Sequence, residues 1–192
     1  LFLSHVRASS LAPIQETNCH PFRYNKWLFM HNGQIAQYEF LRQSLLAKIS
    51  PEYFNDIMGS TDSEVMFYLA LTFGLEANVT SGISEMVKAV KAAGKKAGVS
   101  GDLWMTLAIS DGNSLWSYRY GSDGKGPTLY ISPSIEELTR LNPHIEDKFG
   151  DFAACIVSEP IGNYQETWHI VPENSVVVVS NENIEIKEFK VK

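Results

Sequence analysis

At Gly101 the hydrophobic period of this chain changes from helical to two, and that change restricts the possible architecture more than any other feature. From Thr61 up to it the pattern is helical. Thr61-Asp62-Ser63-Glu64 has the S/T-x-x-E form of a capping box. Val65-Met66-Phe67-Tyr68-Leu69-Ala70-Leu71 then runs apolar nearly all round, so the helix it opens must be buried. A second helix is expected over 83–97, with Ile83, Met86, Val87, Val90 and Ala97 on one face, Lys88, Lys91, Lys95 and Lys96 largely elsewhere, and Gly98 at its end. After Gly101 the period is two. Leu103, Met105, Leu107 and Ile109 alternate with Trp104, Thr106 and Ala108, Asp111-Gly112-Asn113 supplies a turn, and 115–120 returns as the partner strand. Strands on both sides of two long helices, with hairpins dominating, define an α+β layered fold with mostly antiparallel sheets.

The remaining elements follow from shorter signals. Strands are expected at 2–7, 27–31, 128–131, 153–158, 168–170, 176–180 and 184–191, and a helix over 34–49 that Pro51 ends. With 44% hydrophobic and 11% aromatic side chains, the 192 residues can bury the core of a single domain. The net charge of −6 leaves no basic excess for phosphates, so no nucleic-acid partner is expected. No apolar run approaches the roughly 20 residues that cross a bilayer, so no membrane partner is expected either. Two cysteines do not make a disulfide framework, and a reducing, cytoplasmic setting is the expectation. Cys19 reads as a structural thiol and Cys155, inside an expected strand, as a small core residue. The opening, Leu1-Phe2-Leu3-Ser4-His5-Val6-Arg7, has neither an initiator Met nor a signal peptide's order and reads as the middle of a strand.

Four segments carry candidate chemistry: His5-Val6-Arg7-Ala8-Ser9-Ser10, Asn18-Cys19-His20-Pro21-Phe22, Met30-His31-Asn32-Gly33-Gln34 and Gly59-Ser60-Thr61-Asp62-Ser63-Glu64. Arg7 presents a planar fork matched to a carboxylate; read alone it is a surface ion pair. Asn32 and Gly33 offer a side-chain amide and an unobstructed backbone N–H, the parts of an oxyanion hole; read alone the pair is a turn. Asp62, in the first turn of the buried helix, can accept hydrogen bonds from an ammonium group while also complementing the helix dipole. His20 and His31 lack metal-ligand spacing and read as loop-holding hydrogen-bond formers.

In this order the segments resemble the glutaminase domain of class II amidotransferases, in the N-terminal nucleophile hydrolase superfamily. They are most similar to its stand-alone branch, which includes γ-glutamyl hydrolases. The resemblance extends to Ser158-Glu159-Pro160 and Trp168 and covers essentially the whole chain. It implies a four-layer αββα sandwich in one domain, no metal and no organic cofactor. It further implies that Arg7 binds the α-carboxylate of a glutamyl substrate and Asp62 its α-ammonium group. Asn32 and Gly33 would form the oxyanion hole, with Ser9 or Ser10 near the substrate and His20 and Trp27 shaping the pocket wall. The implied partners are a small-molecule substrate, glutamine or a γ-glutamyl compound, and either a second copy of the chain or an ammonia-accepting subunit. In the family the nucleophile is an N-terminal cysteine whose own α-amine is the base. This sequence opens on Leu1, so the expectation is that the segment bearing that cysteine precedes it. The alternatives are a γ-glutamyl peptide or thiol-conjugate hydrolase, and a binding module that has lost its nucleophile.

Overall fold

The computed structural model describes residues 1–6, 13–142, 152–162 and 165–191. The strands form two antiparallel sheets: β1 (Phe22–Tyr24), β2 (Trp27–Ile35), β3 (Leu103–Ser110), β4 (Leu115–Gly121), β8 (Ser175–Ser180) and β9 (Asn183–Glu188) in that order, and β5 (Tyr130–Ile131) between β6 (Ile156–Val157) and β7 (His169–Ile170). Side-chain alternation divides the larger sheet into two faces. Phe29, His31, Met105, Leu107, Tyr118 and Val176 share one face, Asn32, Thr106, Ser117, Arg119 and Val177 the other.

The first face meets the helices α1 (Tyr38–Leu46), α2 (Pro51–Phe54), α3 (Asp62–Thr72) and α4 (Val79–Ala97). As its composition requires, α3 is buried from Ser63 to Leu71, and Phe67 stacks on Phe29 of β2 with centroids 5.1 Å apart. The second face packs through Val177 and Val179 against Leu129, Ile131 and Val171 of the smaller sheet. Beside that sheet lies α5 (Ile135–Leu141), whose Glu137 Oε2 is 3.4 Å from His169 Nε2 on β7. The layers are therefore helix, sheet, sheet and helix, the αββα order expected.

Several boundaries differ from the sequence reading, each for a tertiary reason. Residues 2–6 form no strand, because a strand needs a hydrogen-bonded neighbour and none of the described residues pairs with them. β2 runs four residues past His31, since β3 pairs with it as far as Ile35. The next helix consequently begins only at Tyr38, after Gln37 in a left-handed conformation. Pro51 opens α2 at its first position, where proline lacks nothing the helix needs. Asn78 starts α4 four residues early by accepting from Ser81 N at 2.9 Å. Cys155 precedes the two-residue β6 and is exposed, not a core residue. The sequence reading missed α5, although Ser134-Ile135-Glu136-Glu137 carries a full capping box that announces it.

Candidate active site

Asn32 and Gly33 lie inside β2, not in a turn. Asn32 is opposite Thr106 and Gly33 opposite Met105 on β3. Gly33 has φ +144°, and a Cβ there would stand 1.9 Å from the carbonyl oxygen of Trp104, so only glycine fits. Ala36 N donates to Asp102 O at 2.8 Å, which fixes the ladder alternation. Amides 32, 34 and 36 face β3, and those of 33 and 35 face away from it. The short β1 pairs with β2 only as far as Phe29, so no described strand lies along this stretch of edge.

Asp62 closes that edge. Its Oδ2 accepts from Ile35 N at 2.9 Å, and its Oδ1 from Ser63 N at 2.8 Å. Two backbone amides thereby aim the carboxylate, and the Ser63 hydroxyl lies 3.4 Å from Oδ1. Ile35, to which Asp62 is bonded, lies two residues from Gly33 and three from Asn32 along the strand, about 7 and about 10 Å.

The loop before Asp62 is held by two buried groups, Glu64, which the sequence reading gave as half of a capping box, and Asn18, to which it gave no role. Thr61 Oγ1 accepts from Glu64 N at 3.2 Å, half of a capping box. The Glu64 carboxylate does not return to the cap but takes Met58 N and Gly59 N, each at 2.8 Å. Burial pushes the Glu64 carboxyl upward from its ordinary pKa, and those two amide donors oppose it. Asn18, fully buried, accepts from Ser60 N at 2.9 Å and donates to Pro13 O at 2.9 Å. A Cβ on Gly59 would meet Asn18 Oδ1 at 2.5 Å, so the loop passes too close to Asn18 for any side chain. The Asn-Cys-His-Pro-Phe segment thus works through its asparagine, and the Gly-Ser-Thr-Asp-Ser-Glu segment through its last glutamate.

Three histidines border the site. His31, on the helix-facing side of β2, has Nδ1 2.9 Å from Ser63 Oγ and Nε2 3.4 Å from Trp104 O. The rings of His5 and His20 are 4.2 Å apart, and His20 meets Phe22 edge-on at 4.7 Å across a cis His20–Pro21 peptide.

Trp27 does not join this group. It sits five residues before Asn32 at the other end of β2, buried, with Nε1 3.2 Å from Glu76 Oε1 and its ring 6.1 Å from that of Trp116. Together with Glu76, Asn78, Asp111 and Trp116 it lines a separate concavity of about 340 Å³. Arg7, Ser9 and Ser10 lie outside the described residues. Cys19 is exposed, its Sγ 3.6 Å from Gln15 O. Among the described residues no helix is long and apolar enough to cross a membrane.

A backbone-aimed carboxylate thus lies beside a strand edge that carries a glycine amide and an asparagine side chain. The chain belongs to the class II glutamine amidotransferases, whose family model matches residues 1–188. It is 31% identical over 208 residues to the probable glutamine amidotransferase DUG3 of Saccharomyces cerevisiae, an alignment that covers 96% of this chain and 58% of that protein. This chain therefore spans less than two thirds of that relative's length. Among solved structures it resembles a glutamine aminotransferase class-II domain protein from Silicibacter pomeroyi, with TM-score 0.78 and 28% identity over 93% of this chain and 74% of that one. The glutamine phosphoribosylpyrophosphate amidotransferase of B. subtilis shares the fold, with TM-score 0.60 at 17% identity over 98% of this chain and 34% of that one. The two antiparallel sheets with flanking helices are thus those of the N-terminal nucleophile amidotransferases.

Proposed function

We propose that this chain provides glutamyl recognition and oxyanion stabilisation for hydrolysis of a γ-glutamyl amide, glutamine in the simplest case. The observation that carries the reading is the Asp62 carboxylate, bonded to Ile35 N at 2.9 Å on the same strand that carries Asn32 and Gly33. In this reading Asp62 takes the α-ammonium group and Arg7 the α-carboxylate, with Ser9 or Ser10 and His20 beside the substrate.

The attacking thiol is that of an N-terminal cysteine, which a sequence opening on Leu1 does not carry. Its sulfur bonds to the γ-carbonyl carbon, and the carbonyl electron pair moves onto oxygen. Asn32 Nδ2 and the edge-facing Gly33 N–H receive that charge. The nucleophile's own α-amine takes the thiol proton and passes it to the departing ammonia as the C–N bond breaks. Water then cleaves the thioester, yielding glutamate and restoring the thiol. No metal or organic cofactor takes part. Ammonia is released or passed to an accepting subunit, and the exposed Cys19 and Cys155 suit a reducing, cytoplasmic setting.

The test is turnover of glutamine and of γ-glutamyl peptides by the full-length protein with its mature N terminus. Asn32→Ala should lower kcat by about 10²- to 10³-fold, the usual effect of deleting one oxyanion donor. Asp62→Asn should chiefly raise KM. Unchanged turnover in Asn32→Ala refutes the assignment, and preference for the peptide over glutamine makes the enzyme a γ-glutamyl peptide hydrolase.

A further inference from the structure

We propose that His31 is a positioning residue, a neutral spacer that fixes the oxyanion-binding backbone at Gly33 against the carboxylate of Asp62. The inference rests on the function proposed above.

His31 and Asn32 point to opposite faces of β2, so the imidazole cannot be part of the surface that Asn32 offers a substrate. It is 3% exposed and lies among three elements. Through Nδ1 it meets Ser63, the residue after Asp62 in α3, at 2.9 Å. Through Nε2 it meets the Trp104 carbonyl of β3 at 3.4 Å. Against β2 itself, Nε2 stands 2.8 Å from where a Gly33 Cβ would be, so the ring fills the notch that the missing side chain leaves. Ser63 Oγ lies 3.4 Å from Asp62 Oδ1. A continuous line of contacts therefore runs from Gly33 through His31 and Ser63 to Asp62. A smaller side chain at position 31 would leave Gly33, at φ +144°, room to relax away from its place.

The partners also assign the proton. A carbonyl only accepts, so Nε2 carries the hydrogen and Nδ1 accepts from the Ser63 hydroxyl. Burial pushes the His31 pKa down, with Asp62 and the Trp104 carbonyl opposing and the nearby His5 adding to the fall. A proton on Nδ1 would turn the Ser63 hydroxyl toward Asp62 Oδ1 and occupy an acceptor site meant for the ligand's ammonium. The titratable groups that act on the ring are Asp62 and His5, the latter with its ring 4.2 Å from that of His20 and tilted to it.

Two variants of the full-length enzyme test the proposal. His31→Gln keeps an N–H for the carbonyl but, with that bond made, has no acceptor at the place of Nδ1 for Ser63, and Ser63→Ala removes only the hydroxyl. Each should lower kcat for glutamine by about 10- to 100-fold, the effect of a misplacement of roughly an ångström. The Kd of L-glutamate, which needs the amino-acid grip but no oxyanion hole, should change by less than about 3-fold on the same reasoning. A parallel collapse of kcat, glutamate binding and thermal stability would mean that His31 is only structural and would overturn the proposal. In ¹⁵N spectra of the wild type, His31 should stay neutral with the proton on Nε2 at pH 6, and Ser63→Ala should shift the Gly33 and Ile35 amides. Unshifted amides overturn the proposal whatever the turnover. A wild type that neither binds glutamate nor hydrolyses glutamine overturns the functional reading, and with it the catalytic meaning of His31. An active wild type with indifferent variants overturns the positioning role alone.

Discussion

On the side of the six-stranded sheet that meets the helices, Phe29, Met105, Leu107, Tyr118 and Val176 are buried among the apolar side chains of α3 and α4. On the opposite side Asn32 is exposed, Thr106 Oγ1 donates to Pro127 O at 3.3 Å, and Arg119 reaches across to the second sheet. There Arg119 Nε donates to Pro127 O at 3.0 Å, Nη1 to Val171 O at 2.6 Å, and Nη2 pairs with Glu173 Oε1 at 2.8 Å. Non-directional burial holds the first face, and it tolerates apolar side chains of the right volume. Directional bonds hold much of the second. The site sits where the two regimes meet, at the β2 edge, with His31 on the packed face and Asn32 on the polar one.

This contrast can be broken at either face. Phe67→Ala, deep in α3 against Phe29, should lower stability by about 3–5 kcal/mol in urea unfolding, while activity per folded molecule is retained. A loss below about 1 kcal/mol would show that the helical layer does not dominate stability. Arg119→Ala strands the buried Val171 carbonyl and leaves the partly exposed Glu173 without its cation, while Pro127 O keeps the Thr106 hydroxyl. A loss of about 2–3 kcal/mol is expected, less than for a fully buried pair because solvent reaches the carboxylate. If that variant is as stable as wild type, the sheets are held together by Val177, Leu129 and their neighbours alone.

A smaller effect separates the two sides of His31. Its folded pKa lies below the unfolded value of about 6.5, so the unfolded chain binds the proton more readily. Stability from this group is complete above that value and is lost as pH falls from there toward the folded pKa. Thermal melts from pH 7.5 to 5 should slope less in His31→Gln than in wild type, and equal slopes would mean the imidazole is protonated in the fold. The smallest expected change is the stability of Asn32→Ala. Its side chain is exposed, so the midpoint should stay within about 0.5 kcal/mol of wild type even as turnover falls. A large stability loss would make Asn32 a structural residue and blur the distinction between the faces.

The hydrophobic period alone determined the buried α3, the amphipathic α4 ending at Gly98 and the β3–β4 hairpin, because each pattern has one low-energy way to hide its apolar face. Residue chemistry left Asn32 and Gly33 as a turn and Asp62 as a partner of the helix dipole, and only the order of the motifs, taken together, marked them as candidates. Only the tertiary structure decided that Asn32-Gly33 is strand and not turn. That depends on β3, some 70 residues away, lying alongside and on the Trp104 carbonyl leaving no space for a Cβ. The same holds for Glu64, which reads as one half of a capping box but is drawn to Met58 N and Gly59 N, and for Trp27, carried to the far end of β2 by the direction of the strand. Local sequence fixes what a residue can do. Which partners come within 3 Å of it is set by long-range pairing, and that pairing is what turns a common dipeptide into a candidate site.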